Sequence, residues 1–225
     1  MAVMTPGLFV TGTDTGVGKT YVSAGIVTTL LSRGVDVGVM KPAETGCRMR
    51  AGRLMPRDAL LLMKSARVKD PLSLVNPFRF RDPLAPSIAA ERDGKKIDPD
   101  KILKAFDALR ERHDFMIVEG AGGIMVPLCG HYTYLDLACA LGLPVLIVAR
   151  PGLGTINHTL LTISALNGRN IQIAGVVINH ALDTKPGLAE ESGPAVIEKI
   201  SGTRIVGIIS HAARTFDKVL DQCVL

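Results

Sequence analysis

The strongest chemical signal lies in Leu8-Phe9-Val10-Thr11-Gly12-Thr13-Asp14-Thr15-Gly16-Val17-Gly18-Lys19-Thr20. A short apolar run enters a glycine-rich turn that ends in Gly-Lys-Thr, and a helix-compatible stretch follows from Tyr21. This strand–loop–helix order is the arrangement that cradles polyphosphates. Gly16, Val17 and Gly18 would turn successive backbone N–H groups inward around the phosphates. The helix adds free N–H groups and the positive end of its dipole. Lys19 would reach the β- and γ-phosphates, and the Thr20 hydroxyl would serve Mg²⁺. The loop is a variant one residue longer than G-x-x-x-x-G-K-[ST], because Gly12 and not Thr13 supplies its first glycine.

Two more candidates stand where open α/β sheets place their ligands, beyond the carboxyl ends of strands. The strand expected over Val35 to Met40 runs into Lys41-Pro42-Ala43-Glu44-Thr45-Gly46. The strand expected over Phe115 to Val118 ends in Glu119-Gly120-Ala121-Gly122-Gly123. An acid there is placed to hold Mg²⁺, and the glycines let backbone pass close to a ligand. Asp58 opens a short helix and reads either as a first-turn acid or as a metal ligand. His158 reads as a packed or surface helix residue. A phosphate loop, a lysine and an acid on one edge of a sheet imply an ATP-dependent enzyme with Mg²⁺. Lys41, a second cation beside the γ-phosphate, implies an anionic acceptor, a carboxylate or a carbamate.

The elements that must position these groups alternate. Apolar runs at Leu8 to Thr11, Pro144 to Ala149, Ala174 to Ile178 and Arg204 to Ile209 read as strands buried on both faces. Helices are expected at Lys19 to Ser32, Tyr134 to Leu141, Thr155 to Asn167 and Glu191 to Ile200. Asp98 and Pro99 start an amphipathic helix with Ile102, Phe106 and Leu109 on one face. Cys47 to Arg57 reads as loop, Pro71 to Pro86 as an irregular excursion before a short helix at Ser87 to Arg92, and the stretch after Ser210 carries no strong signal. The fold class is α/β: a single domain over residues 1–225 with a mainly parallel sheet and helices on both faces, of the P-loop nucleotide-hydrolase type.

Composition narrows the partners. The 225 residues are 47% hydrophobic, enough for one core. The net charge of +5 invites nucleic acid, yet there is no Trp and only 4% aromatic content, so stacking platforms are scarce. The basic residues between Arg48 and Lys69 read as a solvated face or as a field for anionic ligands. No apolar run is long enough to span a membrane. The uncharged N-terminus does not resemble a signal peptide. Four widely spaced cysteines without a C-x-x-C pair argue against zinc. A cytoplasmic protein with no nucleic-acid or membrane partner is expected.

The quoted motifs resemble the dethiobiotin synthetases, the ATP-dependent cyclising ligases of biotin synthesis. Matching pieces are the extended phosphate loop, Lys41-Pro42-Ala43-Glu44-Thr45-Gly46, Arg57-Asp58-Ala59-Leu60, Asn76-Pro77-Phe78 and Val118-Glu119-Gly120-Ala121-Gly122-Gly123 with Val126-Pro127-Leu128. Gly154-Thr155-Ile156-Asn157-His158 and Val177-Ile178-Asn179 continue the match. The resemblance implies that 7,8-diaminononanoate and CO₂ form a carbamate, which ATP phosphorylates before the second amine closes the ring. It implies Thr20, Asp58 and Glu119 as Mg²⁺ ligands. Lys19 would act on the transferred phosphoryl group, Lys41 on the carbamate and Thr45 on the substrate. Gly120, Ala121, Gly122 and Asn179 would lie on the nucleotide. It further implies a homodimer in which Gly154, Thr155, Ile156 and Asn157 hold the diamine's carboxylate across the subunit interface. Gly16 stands where many members carry Glu. Ile209-Ser210-His211 departs from the family's Ile-Pro beside the base, which leaves ATP, CTP and GTP open as the nucleotide.

The main rival is a partition or septum-positioning ATPase. Its loop carries a signature lysine where this chain has Asp14, and no basic amphipathic helix closes the sequence. A relative of the glutamine-dependent amide synthases would need a glutaminase domain that 225 residues leave no room for. A regulatory nucleotide-binding module does not account for Lys41-Pro42.

Overall fold

The computed structural model describes residues 6–181, 185–211, 213 and 216–223. In chain order the first elements are β1 (Gly7–Gly12), α1 (Lys19–Ser32), β2 (Val37–Met40), β3 (Ala43–Glu44), β4 (Arg48–Arg50), β5 (Arg53–Met55) and α2 (Arg57–Ala66). Then come α3 (Leu72–Val75), β6 (Phe78–Arg79), α4 (Pro86–Arg92), α5 (Pro99–Arg110), β7 (Phe115–Gly123), β8 (Pro127–Cys129), β9 (Tyr132–Thr133) and α6 (Tyr134–Leu141). The chain continues through β10 (Val145–Ala149), α7 (Thr155–Asn167), β11 (Ile173–Asn179), α8 (Leu188–Ser201), β12 (Ile205–Ile209) and α9 (Asp217–Gln222).

Six strands form one sheet in the order β12-β11-β10-β1-β7-β2, and every pairing within it is parallel. Each of β1, β2 and β10 is buried along its whole length, as apolar strands covered on both faces must be. Helix α1 packs against α2 and α9, while α5 lies over β2 and β7 beside α3 and α6. The Asp98 carboxylate accepts from Asp100 N at 3.0 Å, so the expected cap at Asp98 and Pro99 forms. The strand order puts β1, which carries the phosphate loop, beside β7, which carries Glu119. It puts β2, which leads to Lys41, on the far side of β7.

Three expectations need correction. Strand β7 does not stop at Val118 but runs through Glu119 to Gly123, which pairs with Gly12 at the start of the phosphate loop. Its glycines allow this, because a Cβ on Gly123 would already touch the Gly12 carbonyl oxygen at 3.4 Å. The stretch from Cys47 to Arg57 is not plain loop, since β4 and β5 form an antiparallel hairpin there. Both turn residues, Ala51 (φ 47°) and Gly52 (φ 73°), are left-handed. Beyond Ser210 the chain carries α9, which docks on α1. Phe216 stacks edge-on against Tyr21 with ring centroids 5.7 Å apart, and Arg33 bridges Asp217 and Asp221 at 2.8 Å each.

Candidate functional site

Gly18 begins the site. It is the residue before α1, with φ 91° and ψ 28°, a left-handed conformation that glycine adopts without strain. No side chain caps α1, so its first N–H groups are left for a ligand. The loop is tied to the sheet by Thr13 N donating to Val148 O at 3.0 Å. On its other side Asn179, at the end of β11, donates Nδ2 to Val17 O at 2.9 Å, and its Oδ1 is buried without a partner. Lys19 Nζ donates to Asp14 O at 3.1 Å across the loop. Burial, reinforced by the charge of Lys41, lowers the Lys19 ammonium from 10.5 to about 8.

Glu119 gathers the second half of the site. It is fully buried, and its Oε1 accepts from Thr20 Oγ1 at 2.7 Å and from Lys41 Nζ at 2.5 Å. The same ammonium lies 3.1 Å from Asp58 Oδ2 and donates to Gly120 O at 3.2 Å. Burial opposes the charge on Lys41, but Glu119 and Asp58 outweigh it and hold the group well above the usual lysine range. The Lys41 main chain is fixed as well: its N–H donates to Val75 O at 2.7 Å and its carbonyl accepts from Asn76 Nδ2 at 2.7 Å. Asn76 belongs to the Asn76-Pro77-Phe78 motif, whose part is thus to hold Lys41.

These groups open on a cleft of about 700 Å³. Gly16, Gly18, Lys19, Thr20, Lys41, Thr45, Asp58, Ala121 and Gly122 line it. Glu119, Gly120, Val17 and Asn179 do not line it: Glu119 lies behind Lys41 and Thr20, Gly120 O accepts from Lys41, and Val17 O accepts from Asn179. Thr155, Ile156 and Asn157 lie in the first turn of α7 behind Gly154, and this group does not line the cleft. Two features had no sequence signal of their own. Pro83, Leu84, Ala85 and Pro86 form a wall of the cleft. Glu44, inside the lysine motif but without a role there, accepts from Asp58 N at 2.9 Å and Ala59 N at 3.0 Å. Burial raises its carboxyl above the ordinary value.

The donor set suits a hard divalent cation. Thr20, Asp58 and Glu119 offer oxygens only, and Glu119 Oε2 is buried with no hydrogen-bond partner. Among the described residues no cluster of three or more His, Cys, Asp or Glu could hold a metal, so such an ion would need the Thr20 hydroxyl and ligand oxygens as well.

A parallel sheet, an extended glycine loop before α1 and an acid on the neighbouring strand place the chain among the P-loop nucleotide-binding proteins. Residues 6–216 match the family model described as an AAA domain. The chain is 40% identical over 215 residues to the ATP-dependent dethiobiotin synthetase BioD of Thermodesulfovibrio yellowstonii, covering 92% of this chain and 90% of that protein. It is 42% identical over 220 residues to the enzyme of the same name from Methanocaldococcus jannaschii, covering 95% and 99%. The chain belongs to the ATP-dependent dethiobiotin synthetase family. The MinD cell division protein of Aquifex aeolicus shares the fold, with a TM-score of 0.56 at 19% identity over 96% of this chain and 87% of that one. That similarity is one of fold alone. No described helix is long and apolar enough to cross a membrane.

Proposed function

We propose that this chain carboxylates 7,8-diaminononanoate and closes the product to dethiobiotin at the expense of ATP, in the cleft between the phosphate loop and Lys41. One amine takes up CO₂ and loses a proton to give a carbamate. A carbamate oxygen attacks the γ-phosphorus in line, and ADP leaves. The second amine attacks the carbonyl carbon of the mixed anhydride, expels phosphate and loses its proton, leaving a cyclic urea. The observation that carries this reading is Lys41, a buried ammonium that lines the same cleft as Lys19. Beside the lysine that faces the γ-phosphate, a second cation outside the phosphate loop suits an anionic acceptor.

Each residue has a physical task. Lys19 faces the phosphoryl group in transfer, where charge stabilisation by a preorganised donor typically contributes about 3–4 kcal/mol. Lys41 neutralises the carbamate and Thr45 hydrogen-bonds the diamine. Gly16, Val17 and Gly18 wrap the phosphates, Gly120, Ala121 and Gly122 let backbone approach them, and Asn179 meets the base. Thr20, Asp58 and Glu119 would hold Mg²⁺, which would supply positive charge against the phosphates. The four cysteines, Cys47, Cys129, Cys139 and Cys223, are all free, which suits the cytoplasm.

The diamine's own carboxylate needs a second anchor. Gly154, Thr155, Ile156 and Asn157 begin α7 without a side-chain cap; Thr155 N–H turns back to Gly152 O at 3.2 Å, and the N–H groups that follow it make a suitable seat for an anion. Because they stand apart from the cleft of their own chain, we place them on a partner subunit's substrate, in a homodimer. Phosphate release from MgATP with bicarbonate, measured with and without 7,8-diaminononanoate and paired with mass spectrometry for dethiobiotin, tests the reading. Diamine-dependent release with stoichiometric dethiobiotin is expected. Release indifferent to the diamine, with no dethiobiotin, would sink it.

A further inference from the structure

Helix α2 begins without a cap of its own. Its N-cap residue is Pro56, which offers no side-chain acceptor, yet the N–H groups of the second and third helical residues are both bonded. The acceptor comes from fourteen residues earlier in the chain. Glu44 Oε1 takes the Asp58 N–H at 2.9 Å and Glu44 Oε2 takes the Ala59 N–H at 3.0 Å. These are the donors that a serine, threonine or aspartate at the N-cap ordinarily satisfies. A carboxylate serves them with charge-assisted bonds at the positive end of the helix dipole.

Glu44 is itself fixed. It lies in β3, its carbonyl accepts from Phe80 N at 2.9 Å, and its residue is only 6% exposed. Burying a carboxylate is costly unless both oxygens are bonded, and here they are. A plain N-cap at position 56 would have closed the helix more cheaply. What the remote cap adds is a rigid link between the lysine segment, Lys41 to Thr45, and the backbone of Asp58. Asp58 needs that link because its own side chain is 41% exposed and touches only Lys41 among the groups described above.

We infer that Glu44 is a positioning residue for the cation site: by clamping the first turn of α2 it fixes where the Asp58 carboxylate stands relative to Glu119 and Thr20. This rests on the Mg²⁺ assignment made under the proposed function. Outer partners of metal ligands typically cost about 10- to 100-fold in metal affinity when lost. Glu44 makes no bond to Lys19 or to the phosphate loop, so its loss leaves the nucleotide cradle in place.

The test is calorimetric titration of ADP into wild type, Glu44→Ala and Glu44→Gln, in EDTA and across a Mg²⁺ series. ADP affinity in EDTA is expected to match wild type in both variants. The Mg²⁺ concentration needed for half of the metal-linked gain is expected to rise about 10-fold or more in Glu44→Ala. The rise is expected to be smaller in Glu44→Gln, which keeps one acceptor. The Gln variant also carries the test if the Ala variant does not fold. A wild-type chain with Mg²⁺-linked ADP binding and variants with the same Mg²⁺ midpoint would overturn the inference alone. A wild-type chain without that linkage would overturn the metal assignment and the inference with it.

Discussion

Lys41, just past the end of β2, and Glu119, within the neighbouring parallel strand β7, form a buried ion pair, Nζ to Oε1 at 2.5 Å. The ammonium also reaches Asp58, so it sits between the two carboxylates best placed to bind a cation. Lys41→Ala is expected to lower kcat at least ~100-fold, the loss of about 3 kcal/mol of preorganised charge stabilisation. It also leaves Glu119 buried and unpaired, which is expected to lower stability by about 3–5 kcal/mol, read as a fall in Tm. Mg²⁺ is expected to raise the Tm of this variant more than that of wild type, since ion and ammonium share their carboxylates. A kcat within a few-fold of wild type would contradict the role given to Lys41.

Lys19 makes a pH prediction. Its value in the free protein is about 8, below the ordinary 10.5, because burial disfavours the ammonium and Lys41 repels it. Between those values the unfolded chain binds more protons than the folded one, so the burden of burying Lys19 fades as pH rises through that window. A triphosphate reverses the balance by favouring the ammonium. ATP binding at a pH of about 8.5 is therefore expected to take up a proton. Calorimetry in buffers of different ionisation enthalpy measures this directly. Lys19→Arg, charged throughout, is expected to bind without uptake, and the absence of uptake in wild type would contradict the assignment.

Two loop glycines separate backbone strain from collision. Gly18 has φ +91°, and a Cβ there would stand 2.1 Å from Asn179 Nδ2. Gly16 has φ +76°, with nothing within 4 Å of the same atom. Gly16→Ala meets only the left-handed penalty, about 1–2 kcal/mol, and is expected to keep nucleotide affinity within ~10-fold to 30-fold. Gly18→Ala must also displace Asn179, and its affinity is expected to fall by at least ~100-fold. Equal losses in a fluorescent-nucleotide titration would contradict the loop geometry.

The proposed homodimer makes a fourth prediction. Leu153 and Leu188 are each 87% exposed near the starts of α7 and α8, and Leu161 on α7 is 61% exposed. A charge among them should oppose association without touching the cleft. Leu161→Glu is expected to sediment as a monomer and to raise the KM for the diamine while ADP affinity is unchanged. A wild-type chain that is monomeric and fully active in ultracentrifugation at working concentration would refute the shared site.

Local signals and the structure agree where chemistry and geometry coincide. Helices α1, α6 and α7 span the residues read from sequence, because each starts after a glycine or threonine and meets a glycine within two residues of its end. Lys19, Thr20, Lys41, Asp58 and Glu119 were visible because such groups follow strands or open helices, and the fold brings them together. Relations across the chain were not visible. The β4–β5 hairpin hid because arginines dominate it and Ala51 occupies a left-handed position that usually announces itself with Gly or Asn. Helix α9 is six residues long, and its stability comes from Phe216 on α1, a contact no local pattern encodes. The cap that Glu44 places on α2 joins residues that only the folded chain makes neighbours.

The most direct test of the central claim follows oxygen. In the proposed sequence the carbamate oxygen that attacks the γ-phosphorus leaves with phosphate, and the other stays in the cyclic urea. A single turnover with ¹⁸O-labelled CO₂, faster than its exchange with water, is expected to give one labelled oxygen in phosphate and one in dethiobiotin. Phosphate whose new oxygen comes only from solvent would mean that ATP is hydrolysed by water, and that Lys41 faces no carbamate in the reaction.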